Sequence, residues 1–292
     1  MLAVMNTTQT YRRVPVPLKT HGGKSYLAEA ILARMPRHRH YVEPFAGGLA
    51  VLLARDPDDP RLWWGDDGDS RGVSEVVNDL DGRLMGFWRV VRDNTVLFPA
   101  FLRMCQATPL GRAVWEEAGG LLDDPDPVRS AWAFFVRCRQ SLAGRRKAFT
   151  PLTRGRTRRG MNGNVSEWLS AVDGLEAVHD RLLRVVMECV PAVDLIRRED
   201  TPATLFYVDP PYVHGTRTAP AAYNDFEMSD AGHAELLAVL KGCRGKVMLS
   251  GYANALYDDA LAGWTRHPFD VPNNAAGGRS KRRMTEVLWC NF

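Results

Sequence analysis

The chain has 292 residues, of which 45% are hydrophobic: enough for one large domain or two small ones, and for a real core. Its 38 Lys and Arg against 34 Asp and Glu leave a formal charge of +4, a mild surplus compatible with nucleic acid but not diagnostic of it. No stretch approaches the ~20 apolar residues of a membrane span, and residues 1–14 lack the apolar core of a signal peptide, so a soluble, cytoplasmic protein is expected.

The five cysteines, Cys105, Cys138, Cys189, Cys243 and Cys290, are scattered and form no C-x-x-C pair. That pattern predicts neither a zinc site nor a disulfide framework, and it fits a reducing compartment. No metal is expected. There are no internal repeats.

In chain order, a segment ending in Gly22-Gly23-Lys24 leads into a helix over about 25–35. Tyr41-Val42-Glu43-Pro44-Phe45-Ala46-Gly47-Gly48 reads as a strand running into a glycine turn, with an apolar helix starting over 49–54. Strand, glycine turn and helix open a doubly wound sheet. Residues 56–72, rich in Asp, Gly and Pro, read as a surface loop or hairpin. The next strand, Ser74-Glu75-Val76-Val77-Asn78-Asp79, ends in an acid, and a helix follows over 84–91.

The middle of the chain changes character. Helical patterns occupy 96–105 and 130–139, and a strongly basic, turn-rich stretch runs over 140–164. A helix is predicted over 165–183, then strands over 184–189, 204–208, 246–250 and 285–290. The simplest account is a discontinuous sheet domain, residues 1–92 and 169–292, interrupted by a mostly helical basic insert, residues 93–168.

Two places carry the chemistry. The first is the turn Glu43-Pro44-Phe45-Ala46-Gly47-Gly48. Glycines let the backbone approach a ligand, and Asp79 at the end of the next strand is placed to accept hydrogen bonds from ribose hydroxyls. The absence of G-x-G-x-x-G argues against a dinucleotide, and no phosphate loop is present.

The second is Asp209-Pro210-Pro211-Tyr212, after the apolar run Thr204-Leu205-Phe206-Tyr207-Val208. The prolines fix φ and donate no N–H, leaving their carbonyls to face outward. The Asp209 side chain and the Pro210 carbonyl can then accept from one exocyclic amino group, while Tyr212 offers a face to a planar base. Two acceptors on an amino group keep its lone pair off the ring, as methylation of a nucleobase amine needs. A plain strand followed by a sharp turn is the competing reading.

Glu43-Pro44-Phe45-Ala46-Gly47, Asn78-Asp79 and Asp209-Pro210-Pro211-Tyr212 after an N-terminal Gly22-Gly23-Lys24 resemble, in that order, the D12 class of N6-adenine DNA methyltransferases, the Dam-like type. The similarity runs from about Pro17 to the C-terminus, more loosely in the middle. The resemblance implies an α/β, Rossmann-like class I fold that uses S-adenosyl-methionine, with an inserted target recognition region that binds double-stranded DNA. By the family pattern Thr20, Lys24, Asp79 and Asp209 would line the cofactor site, with Glu43, Phe45, Ala46 and Gly47 in its wall. Asp209, Pro210, Pro211 and Tyr212 would form the catalytic site around a flipped adenine.

Two departures stand out. Leu49 occupies a position where the family often has glycine, leaving Gly48 to supply the freedom. Thr20 replaces an aromatic.

The basic stretch, with Arg139, Gln140, Arg145, Arg154, Arg156, Arg158, Arg159 and Asn162, falls where the family places target recognition. Arginines among glycine turns can follow phosphates and reach guanine edges; Gln140 and Asn162 could read adenine edges. A second patch holding Arg279, Lys281 and Arg282 precedes the last strand and is assigned to DNA contact. His214 is read as a surface residue, and Tyr223 and Phe226 as part of a loop closing on substrate.

The expected activity is site-specific methyl transfer to adenine N6 by a monomer. The alternatives are cytosine-N4 methylation, for which Asp209 is less typical than serine, glutamine side-chain methylation, an RNA substrate, and a DNA-binding protein with a decayed methyltransferase domain. No nuclease motif is visible, so any restriction partner would be another protein.

Overall fold

The computed structural model describes residues 11, 13–19, 23–64, 72–151, 155–213, 227–272 and 283–292. Thr20, Arg154, His214, Tyr223, Phe226, Arg279, Lys281 and Arg282 lie outside the described residues.

The elements begin with α1 (Ala28–Leu32), β1 (His40–Glu43), α2 (Ala50–Ala54), β2 (Ser74–Asn78) and α3 (Gly82–Arg92). Helices α4 (Leu97–Gln106), α5 (Arg112–Gly120) and α6 (Pro127–Arg139) follow, then a hairpin of β3 (Thr157–Arg158) and β4 (Met161–Asn162). Next come α7 (Gly163–Asp173), α8 (Leu175–Leu182), β5 (Val185–Glu188), α9 (Ala192–Glu199) and β6 (Thr204–Val208). The chain closes with α10 (Asp230–Gly242), β7 (Lys246–Tyr252), α11 (Ala255–Ala260), β8 (Thr265–Pro272) and β9 (Arg283–Cys290).

Seven strands form one sheet in the order β5-β2-β1-β6-β7-β9-β8. Neighbouring strands are parallel from β5 to β7, while β9 runs antiparallel to both β7 and β8. This is the α/β sheet that the resemblance implies. From β1 the chain first builds outward through β2 and β5, then returns to place β6 on the other side of β1. Strand order reverses there, and ligands of open α/β sheets bind in the crevice at such a reversal.

The central strands are buried on both faces, so they read as continuous apolar runs rather than alternating ones. Their side chains divide between two cores. Tyr41, Val77, Leu205, Tyr207, Met248 and Leu288 pack on the face holding α2, α3, α6 and α8. Val42, Val76, Phe206, Val208, Val247 and Trp289 pack on the face covered by α9, α10 and α11. The insert helices share the first core: Phe87 of α3 stacks on Phe135 of α6 at 5.9 Å between ring centroids, and Phe135 meets Trp168 of α7 at 5.2 Å.

Two differences from expectation have local causes. The single helix predicted over 165–183 breaks at Gly174, where a β-carbon would come within 2.8 Å of Pro15 Cγ. In the glycine turn, the left-handed conformation falls on Gly47 (φ 47°) and on Leu49 itself (φ 55°), not on Gly48. A left-handed leucine costs about 1 kcal/mol. Leu49 tolerates it because its side chain is fully buried in the first core.

At the other end of the sheet Glu75, fully buried, accepts from both Arg55 and Arg181. It lies far along β2 from the crevice and is read as structural.

Candidate active site

The turns after β1 and β6 flank a cavity of about 510 Å³, within the range of small-molecule sites. Lys24, Glu43, Phe45, Ala46, Gly47, Asp79, Asp209 and Pro211 all border it, bringing the described cofactor candidates together.

The β1 turn is held by β2. Ala46 N donates to Asn78 O at 2.7 Å, and Trp88 Nε1 donates to Gly47 O at 3.1 Å. The Asn78 amide laces three strand ends, donating to Pro44 O (2.9 Å) and Val190 O (3.0 Å) and accepting from Val190 N (2.9 Å). Asp79 accepts from Gly47 N and Asp81 N, both at 3.0 Å. Each carboxylate oxygen has a second lone pair, so Asp79 can still accept from a ligand hydroxyl. Burial raises its pKa. Glu43 accepts from Tyr41 Oη at 2.6 Å, and burial pushes its pKa up to about 8, leaving it mostly protonated at neutral pH.

Across the cavity, Lys24 Nζ lies 2.6 and 2.8 Å from the two Asp209 oxygens and 2.6 Å from Tyr212 Oη. Tyr212 Oη in turn donates to the Glu286 carboxylate at 2.7 and 2.9 Å. Burial opposes the Lys24 charge, but Asp209, Tyr212 and Glu286 outweigh it and hold the ammonium well above its ordinary value. Burial pushes Asp209 up to about 6 in spite of Lys24, with Glu286 adding to the rise. Lys24, read from sequence as a cofactor-site lysine, is therefore also the counter-ion of Asp209.

The Tyr212 ring is packed rather than openly presented. It is 7% exposed and meets the Tyr252 ring at 4.4 Å, tilted by 54°. Sequence reasoning misses Glu286. Its signal is an acid inside the apolar run Thr285-Glu286-Val287-Leu288-Trp289-Cys290, with nothing nearby to name its partners.

The insert sorts the DNA candidates. Gln140 is fully buried and its amide is spent on the 109–111 turn, accepting from Gly111 N and donating to Pro109 O at 3.1 Å each. It therefore reads no base edge. Arg139 turns inward to donate to Glu167 O at 2.8 Å, and burial lowers its pKa. Arg145 is exposed and also borders the cavity, beside Arg146. Gly144 makes that possible: it has φ 69°, and a β-carbon there would lie 2.2 Å from Lys19 O. The Asn162 side chain caps α7, accepting from Asn164 N at 2.9 Å.

Arg156, Arg158 and Arg159, in contrast, are exposed on the β3–β4 hairpin. Its two-residue turn, Arg159-Gly160, has positive φ at both positions (56° and 74°), as tight hairpins require. Arg159 Nη1 ties the turn to Ser170 Oγ at 3.0 Å.

Among the described residues no cluster of three or more His, Cys, Asp or Glu could hold a metal, and no helix is long and apolar enough to cross a membrane. No curated protein matches the chain. Among solved structures it is similar to the rRNA methyltransferase aviRa from Streptomyces viridochromogenes. One such structure is 14% identical with a TM-score of 0.38 and covers 94% of this chain and 89% of that one. A second is also 14% identical, with a TM-score of 0.33, covering 97% and 88%. The family model of the D12 class N6 adenine-specific DNA methyltransferases matches residues 21–104 and 161–271, which contain the β1 turn, Asp79 and the Asp209-Pro210-Pro211-Tyr212 segment. With more than half its residues so matched, and these motifs gathered around one cavity, the chain belongs to the D12 class N6 adenine-specific DNA methyltransferase family.

Proposed function

We propose that the chain binds S-adenosyl-methionine in the crevice between β1 and β6 and methylates N6 of an adenine turned out of duplex DNA. The observation that carries this reading is the half-buried Asp209 carboxylate at the end of β6, sharing one cavity with Asp79 and the Gly47 turn. The residues present fit that cofactor. Asp79 offers acceptors for a ribose diol, the cavity is large enough for a nucleoside with a side chain, and the carboxylates favour a cation. When bound, the cofactor supplies an electrophilic methyl group.

The chain's own residues prepare the amine. Asp209 and the Pro210 carbonyl accept its two N–H bonds and direct the nitrogen lone pair out of the ring system. Both Asp209 oxygens already accept from Lys24, and their remaining lone pairs serve the amine. The proton that N6 must lose once its N–C bond has formed leaves along the same hydrogen bond to Asp209. Positioning does most of the work, and no covalent enzyme intermediate is needed. A base stacked on Tyr212 takes the place that Tyr252 now holds, so base entry displaces Tyr252.

Residues 93–168 act as the target recognition region, with the β3–β4 hairpin as its phosphate-following element. Arg154, Arg279, Lys281 and Arg282 remain candidate DNA contacts, the protein works as a monomer, and a cytoplasmic location is proposed for it. Reversing Arg156, Arg158 and Arg159 to Glu is expected to weaken duplex binding. It should also reduce the slope of log affinity against log salt by about 2 to 3, close to one for each phosphate the hairpin no longer neutralises. Fluorescence anisotropy over a salt series measures this, and an unchanged slope would remove the hairpin from the interface.

A further inference from the structure

Glu286 belongs to none of the motifs that define the site, and the chemistry described above does not use it. It sits on β9 opposite Tyr252 of β7, 1% exposed. It accepts from Tyr212 Oη and lies 3.7 Å from Lys24 Nζ, the ammonium that already pairs with Asp209 at 2.6 Å. One ammonium thus faces two carboxylates, with Lys24 and Glu286 buried and Asp209 half-buried. Glu43, across the cavity, is mostly protonated at neutral pH and adds little charge. Tyr207 and Tyr252 are driven up by burial and stay neutral.

An unbalanced buried charge is costly to keep, and a cation arriving beside it recovers that cost. The cavity that would receive the cation is bordered by Lys24 and Asp209 themselves. A cationic ligand there feels the surplus negative charge through a medium far less screening than water.

We propose that Glu286 is a specificity-determining residue. Its carboxylate gives the Lys24–Asp209 cluster a net negative charge that makes the adjoining cavity prefer a cationic sulfonium to the neutral thioether left after transfer. This rests on the reading of the cavity as an S-adenosyl-methionine site. It gives Glu286 a task in turnover: the charge that helps to hold the donor stops helping once the methyl, and the positive charge, have gone.

Isothermal titration calorimetry with S-adenosyl-methionine and S-adenosyl-homocysteine, without DNA, tests it. The wild-type protein is expected to bind the sulfonium more tightly. E286Q keeps an acceptor for Tyr212 but loses the charge, and should weaken sulfonium binding roughly tenfold while changing thioether binding less than about twofold. E286D, which keeps the charge, should retain the preference. Equal weakening of both ligands in a folded E286Q protein would mean a merely structural role and overturn the inference. Equal affinity of the wild type for the two ligands would overturn it even if E286Q failed to fold. Failure of the wild type to bind either ligand is a different result: it removes the cofactor reading itself, and the inference with it.

Discussion

Asp209→Ala is expected to lower kcat by at least about 10³-fold, about 4 kcal/mol of transition-state stabilisation, while the protein still folds. In the proposed mechanism Asp209 accepts one of the two N–H bonds of the amine, and the alanine methyl offers no acceptor in its place. Lys24 keeps Glu286 and Tyr212 as partners, so the cluster does not collapse around an orphaned ammonium. The same residue sets the pH dependence. Its folded pKa is raised to about 6 from an ordinary 3.8, so the ionised acceptor is present above about pH 6 and lost below it. Single-turnover rates should therefore fall about tenfold per unit as the pH drops below that value. Near-wild-type turnover in the alanine variant would remove Asp209 from the mechanism.

Lys24→Met should act on stability as well as on activity. The ammonium is 2% exposed and stands between two carboxylates. Without it, the buried Glu286 and the partly exposed Asp209 are left with no cation between them, and the buried negative charge is no longer balanced. Breaking a buried ion pair by removing one partner costs about 3–5 kcal/mol. At about 2–4 °C per kcal/mol for a chain of this size class, the melting temperature should drop on the order of 10 °C. Methyl transfer should fall as well, because Asp209 loses the cation that holds its carboxylate ionised and in place to receive the proton from the amine. Differential scanning calorimetry decides the point: a variant that melts with the wild type would show that Lys24 does not neutralise the cluster.

Much of this architecture is legible in the sequence because the central strands announce themselves. Thr204–Val208 is buried on both faces, so it reads as an unbroken apolar run whose bounds agree with the strand to the residue. The turn after β1 and the acid after β2 are legible for the same reason. The strands that hold them are central, and chemistry gathers at their ends.

Other features leave no such local trace. The β8 strand carries Arg266, His267, Pro268 and Asp270 and, among the described residues, pairs only with β9, so edge position explains both its proline and its weak apolar signal. Helices α5, α9 and α10 are likewise absent from the sequence reading. Glu286 and Lys24 stand at opposite ends of the chain, and only the sheet order that puts β9 beside β7 brings them together. Gln140 looks like a base reader because it sits in a basic run. Its burial depends on the 109–111 turn, which no local pattern reveals. That Arg145 also borders the cavity is hidden for a similar reason: the close approach of Gly144 to Lys19 joins distant parts of the chain.

The central claim is methyl transfer to an adenine amine in DNA. It is tested most directly by incubating the purified protein with isotope-labelled S-adenosyl-methionine and mixed-sequence duplex DNA, digesting to nucleosides, and weighing the labelled product by mass spectrometry. The account predicts label in N6-methyldeoxyadenosine, and its absence from the Asp209→Ala reaction. Label in N4-methyldeoxycytidine, or in RNA supplied as competitor but not in DNA, would contradict it.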